Sequence, residues 1–499
     1  MTIAGRSLGA VRRAGVWLAE HARVHWQFSI VFALGLVLRV AALFAYRPAL
    51  IFTDSLGYLS NRANIGPRPL RPFGYPVFLR LLPFRFGLEI VPVVQHLLGL
   101  GMALVIYALL LRLGVGRWLA AIAAAPVLLD AMQLNLEQQV LSETLFEALL
   151  LAACVLVLWW PRPALTAAGL AGVSLAAAVL TRSVAELVIV PIVLAMLLLR
   201  TRLLHIAVTV VAFALPLLLY AAWFHADYGI YALNGLDGHF LYARVAPFAD
   251  CKGLQMPGYE RVLCPAPPVG KRLTVEQFSW SPRSPIYHLH VPVSMRTPGE
   301  PWEARSQIAG DFAKRVILHQ PFTYARTVGS DFLRGFAPTR TTGPGEVPVQ
   351  RWMFKLHYPI YGSSVAVLAK YGEHPAVNHT LASFLHGYQR VGYTPGPLLG
   401  LALLLGLAGA VGIGRARRSG LQCACMLFAG ATLIVLVTAV AVNQFSWRYQ
   451  LPQLILLPPA GALGLTALLG RRQVAAAAAP ARPRPAVETG APSLPEGGA

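Results

Sequence analysis

The chain has 499 residues, 56% of them hydrophobic and only 13% charged, with a mean hydropathy of +0.58 and a formal net charge of +21. That balance excludes an ordinary soluble globule and a disordered chain, and it predicts an all-α polytopic membrane protein. The positive charge is scattered over loops, so no nucleic-acid partner is expected, and anionic membrane lipids are the natural counter-charge.

Residues 1–27 are too long and too charged for the basic start of a cleaved signal peptide. They read as a cytoplasmic N-terminal segment before a retained first helix. Apolar runs near the ~20 residues of a membrane span follow at 28–45, 90–111, 117–134, 139–160, 164–181, 184–199, 203–223, 395–413, 421–442 and 449–469. They predict a bundle of about ten helices: a membrane core over 28–223 with a first outer loop at 46–89, then C-terminal helices over 395–469. Residues 224–394 are too many for a connector and predict a large extracytoplasmic loop domain. Within it, Ile308, Phe312, Val316, Ile317 and Phe332 recur at helical spacing near 303–335, with a break at Gln320-Pro321. Cys251 and Cys264 are the only cysteines there; they are either two free thiols or, outside the cytoplasm, a disulfide. Cys154, Cys423 and Cys425 lie in apolar runs and read as core residues. The Ala- and Pro-rich stretch 470–499 predicts a disordered cytoplasmic tail.

With both termini in the cytoplasm, inner segments hold sixteen arginines and short outer ones eight, the bias expected of a plasma-membrane protein in this orientation. Most of the outer ones crowd the loop 46–89, where an anionic phosphate would explain them. The same loop carries Asp54 and Tyr58, four apart and on one helical face, then Arg71-Pro72-Phe73-Gly74-Tyr75-Pro76 opening a second, amphipathic helix. Ser142-Glu143 starts the fourth span, Arg182 lies between the fifth and sixth, and Arg448-Tyr449 begins the last. All fall on one membrane face.

An arginine late in the first span (Arg39), the Asp54/Tyr58 pair, the stretch Arg71 to Pro76, the Ser142-Glu143 start and Arg448-Tyr449 together resemble the GT-C glycosyltransferases, in particular protein O-mannosyltransferases and aminoarabinose transferases. The resemblance covers about residues 28–223 best and the final spans more weakly. Many members have two adjacent acids where this chain has Asp54-Ser55, and a basic-Pro-Pro where it has Arg71-Pro72-Phe73. The resemblance implies a GT-C-like bundle and an inverting glycosyltransferase, drawing a sugar from a polyprenyl-phosphate carrier for a protein, lipid or polysaccharide acceptor. In that chemistry Asp54 would take the proton of the attacking hydroxyl. Arg71, Arg182 and Arg448 would hold the leaving phosphate, Glu143 would orient acceptor or sugar, and Arg39, Tyr58, Tyr75 and Tyr449 would complete the substrate site.

Plainer roles stand beside these. Asp54 could cap a helix, Arg71 could snorkel to the interface, Arg182 and Arg448 could anchor helix ends, and Glu143 could answer a helix dipole. Arg39, if buried, needs a partner such as Asp54 or a phosphate. His288 and His290 lie two apart and His357, His374, His379 and His386 are scattered, with no carboxylate pattern beside them. No metal ligand is assigned, and the lipid-linked sugar donor is the one cofactor-like partner expected. The alternatives to a transferase are a multi-span transporter or lipid-carrier flippase, and a non-catalytic envelope scaffold.

Overall fold

A computed structural model describes residues 23–293 and 302–470, so most of the N-terminal segment and nearly all of the tail lie outside the described residues. The described chain is helical, apart from the two-residue strands β1 (Tyr46–Arg47) and β2 (Ala376–Val377), which pair antiparallel.

The N-terminal part runs α1 (Trp26–Ala45), α2 (Thr53–Ala63), α3 (Gly74–Leu81), α4 (Ile90–Arg112), α5 (Arg117–Leu129), α6 (Ala131–Gln138), α7 (Glu143–Leu158), α8 (Leu165–Thr181), α9 (Ile189–Leu198) and α10 (Leu203–Tyr228). The middle part follows with α11 (Asp237–Val245), α12 (Val275–Trp280), α13 (Trp302–His319), α14 (Pro321–Arg334), α15 (Ser364–Lys370) and α16 (His379–Tyr388). The chain closes on α17 (Gly396–Val411), α18 (Gln422–Val442) and α19 (Leu451–Leu469).

Five helical segments are long and apolar enough to cross a membrane: α1, α4, α10, α18 and Trp447–Leu469; α8, Ser183–Leu198 and α17 are apolar but shorter. On α10 the outward residues Val211, Leu215, Leu218 and Leu219 are exposed, so apolar side chains face away from the protein as well as into it. A helix apolar on its exposed side suits lipid rather than water. Glycine brings α17 and α19 together: a Cβ on Gly464 would lie 2.1 Å from the carbonyl oxygen of Leu405. Small residues at a helix crossing permit this approach.

The run 117–134 is not one continuous helix. The chain bends by 46° between α5 and α6, because Asp130 is extended and caps α6, its Oδ1 accepting the Met132 N–H at 3.0 Å. Asp130 is buried and held bidentately by Arg340, at 2.8 and 2.7 Å, while the Thr394 N–H donates to it at 2.8 Å. A residue of the 224–394 segment thereby ties that segment to the break.

The expected interruption of 303–335 falls where proline demands it, between His319 and Pro321. Residues 237–324 have their own core around Tyr242, Phe278, Ile308 and Phe312, and Cys251 is bonded to Cys264. The rest of the segment shows no separate core among the described residues: Val349 and Trp352 pack with Tyr58, Tyr75 and Trp447, and Phe354 and Leu385 pack with α1.

Arg340→Ala should lower stability by about 3–5 kcal/mol by leaving Asp130 buried without its counter-charge. Adding Asp130→Asn should recover part of that loss, as read by thermal unfolding of the detergent-solubilised protein.

Candidate functional site

Asp54 lies in the first turn of α2, but the helix start is secured by its neighbour: Ser55 Oγ accepts the Phe52 N–H at 2.9 Å. The Asp54 carboxylate is thus available for other partners. Arg71 Nη2 and Arg448 Nη1 both donate to its Oδ2, at 2.8 and 2.9 Å. No protein donor reaches Oδ1 among the described residues. Arg448 also forms an ion pair with Glu143, its Nε 3.0 Å from Oε1, and Arg182 donates to the same oxygen. Three guanidiniums and two carboxylates form one continuous network with an excess of positive charge.

The helix ends build this convergence. Arg71 precedes α3, Glu143 opens α7, Arg182 follows α8 and Arg448 precedes α19. Gly74 permits the close approach of α3 to the end of α8: a Cβ there would lie 2.6 Å from the Leu180 carbonyl oxygen. Tyr58 braces Arg71, accepting from its Nη1 at 2.9 Å, and shares a hydrogen bond of 3.0 Å with Ser142.

A cavity of about 960 Å³ opens beside the network, and Asp54, Tyr58, Arg71, Arg448 and Tyr449 line it. Glu143 and Arg182 do not line it; Glu143 pairs with Arg448 from behind, and Arg182 pairs with Glu143. Tyr75, expected at the substrate, is fully buried: its hydroxyl donates to Gln95 Oε1 at 2.7 Å and its ring meets Tyr58 edge to face. It supports Tyr58 and does not reach the cavity.

Arg39 lies elsewhere. It is buried in α1, and its expected partner, Asp54 or a phosphate, is replaced by Glu137 at 2.8 Å. Its guanidinium also donates to the carbonyls of Val127 and Leu128, both at 2.9 Å. These carbonyls belong to the last turn of α5, where the break leaves them without helical partners. Glu137 accepts further from Gln133 at 3.2 Å and bonds His96 at 2.7 Å.

Sequence reading passed over several lining residues. Arg68 bonds Asn61 Oδ1 at 3.3 Å and has no carboxylate partner among the described residues. Trp352 lies under Arg448, with the guanidinium 5.0 Å from its ring centre. Trp280, Trp302 and Arg351 come from the 224–394 segment. Their signal was no more than Trp and Arg standing in a segment too polar to be a span.

Burial opposes the charge on Asp54, but Arg71 and Arg448 outweigh it and hold its pKa down at about 2, against an ordinary 3.8. Comparison with protein-family models, curated proteins and solved structures gave no match.

A depressed folded pKa means that ionised Asp54 adds stability that is complete above 3.8 and is lost as pH falls through about 2. The stability gap between wild type and Asp54→Asn, measured by thermal unfolding, should therefore be constant from neutral pH to about 4. It should shrink by about 2 kcal/mol below that.

Proposed function

We propose that this chain is an inverting glycosyltransferase of the plasma membrane, with its site at the outer face and a polyprenyl-phosphate-linked sugar as donor. The observation that carries the reading is the half-engaged carboxylate of Asp54. Both arginines bind Oδ2, and Oδ1 is left without a partner among the described residues, in a large cavity.

The chemistry follows from that arrangement. The acceptor oxygen attacks C1 of the sugar opposite the phosphate, the C1–O bond to phosphate breaks, and the hydroxyl proton passes to Asp54 Oδ1. The polyprenyl phosphate departs with the bonding pair and is held by Arg71 and Arg448, with unneutralised Arg68 as a third cation. A carboxylate with a pKa of about 2 is a weak base. Phosphate drawing on the same guanidiniums would raise its basicity as the donor binds. Glu143 positions Arg448, and Arg182 holds Glu143 in place. The reading extends to a bundle of about ten membrane passes, in which the shorter apolar helices cross with the five long ones. It also places both termini in the cytoplasm, and the disulfide Cys251–Cys264 fits an oxidising outer compartment.

A carrier-lipid flippase or transporter is the second reading, favoured by the 46° bend between α5 and α6 and the buried Arg39–Glu137–His96 set.

In membranes supplied with labelled polyprenyl-phosphate sugars and envelope extract, Asp54→Asn should lower transfer by roughly 10²–10⁴-fold at equal protein level. Arg68→Ala should lower kcat/KM for the donor by roughly tenfold, since it removes a cation from the departing phosphate. Transfer undiminished in Asp54→Asn would remove the base assignment, and labelled carrier that changes leaflet without being consumed would favour the transporter.

A further inference from the structure

The cavity has more wall than a sugar phosphate at Asp54 would use. Its volume of about 960 Å³ lies at the upper end of the roughly 300–1,000 Å³ that encloses a whole small-molecule ligand. The wall supplied by the 224–394 segment is of different chemistry from the arginine network. Phe240, Trp280 and Trp302 line it around His239. Trp280 meets Phe240 edge to face at 5.8 Å, and Trp302 meets Tyr287 edge to face at 5.5 Å. Although it lies in this cluster, Trp280 is 51% exposed.

Polar groups border these rings. Glu276 and Trp280 are four apart on α12 and share a face. Glu276 is paired with Arg351, and both line the cavity. His239 is 1% exposed, and its Nε2 donates to the Ser279 carbonyl at 2.8 Å. That bond fixes Nδ1 as an acceptor, and Nδ1 is buried with no hydrogen-bond partner.

We propose that this wall is the subsite for a saccharide acceptor. A sugar ring offers an apolar C–H face and a rim of hydroxyls. Exposed aromatic rings answer the face, while a carboxylate–guanidinium pair and a fixed imidazole acceptor answer the rim. A peptide acceptor held by backbone pairing would need a strand edge, and β1 and β2, the strands among the described residues, do not line this cavity. The inference rests on the transferase reading for the word acceptor, but the binding it predicts can be measured without transfer.

The test uses the full chain in nanodiscs, with mannotriose, arabinotriose and a short serine-containing peptide as probes, and binding read by saturation-transfer NMR. A trisaccharide should bind the wild type, about tenfold more weakly in Trp280→Ala, with recovery in Trp280→Phe and weakening in Glu276→Gln. No trisaccharide binding to the wild type, or equal binding to Trp280→Ala, overturns the subsite. Donor consumption is followed in parallel. Consumption with the peptide as acceptor and no saccharide binding sinks the subsite and keeps the transferase. Trp280-dependent saccharide binding with no donor consumed keeps the subsite and sinks the transferase.

Discussion

Charge buried in an apolar helical bundle has to be answered by charge or by backbone dipoles, and the architecture follows from how three carboxylates meet that demand. Glu137 is enclosed by Arg39, His96 and Gln133. Asp130 is saturated by Arg340 and two backbone N–H groups. Asp54 alone of the three lines the cavity and keeps an oxygen without a donor among the described residues. The first two sets fix where a helix breaks and how the 224–394 segment sits on it; the third faces the cavity.

The sets depend on one another through the backbone. Arg39 satisfies the last carbonyls of α5, and Asp130 caps the start of α6. Arg340 also donates to Gln450 at 2.9 Å, two residues after Arg448. The strap that locks the break therefore also touches the element that carries one of the two arginines on Asp54.

Sequence reading captured what local chemistry determines. Proline at 321 ends α13 wherever the helix goes, because it lacks the N–H and its ring clashes with the preceding turn. Asp54, Glu143, Arg71, Arg182 and Arg448 were legible as charges at helix ends on one side of the bundle, and they do meet. The break at Asp130 was not legible, since Arg340 lies 210 residues away and an apolar run looks continuous without its partner. Arg39 and Tyr75 were sorted by residue type, whereas their partners, Glu137 and Gln95, decide that one braces a helix end and the other backs Tyr58. The run 184–199 also opens on a 3-10 helix, Ser183–Val188, before its α-helix begins. Trp280 and Trp302 enter the cavity only through the fold of the 224–394 segment.

The separation of Asp54 from Arg448 sets a clock on biogenesis. The two lie 394 residues apart, so at about 5–20 residues per second the ribosome takes roughly 20–80 s to deliver the second arginine after the acid has been made. Throughout that interval Asp54 has Arg71 as its nearby cation, and the last helical segment has yet to enter the bundle. A nascent chain interrupted before residue 448 can hold every earlier helix and still lack the second arginine on Asp54, so the charge network closes only with the final segment.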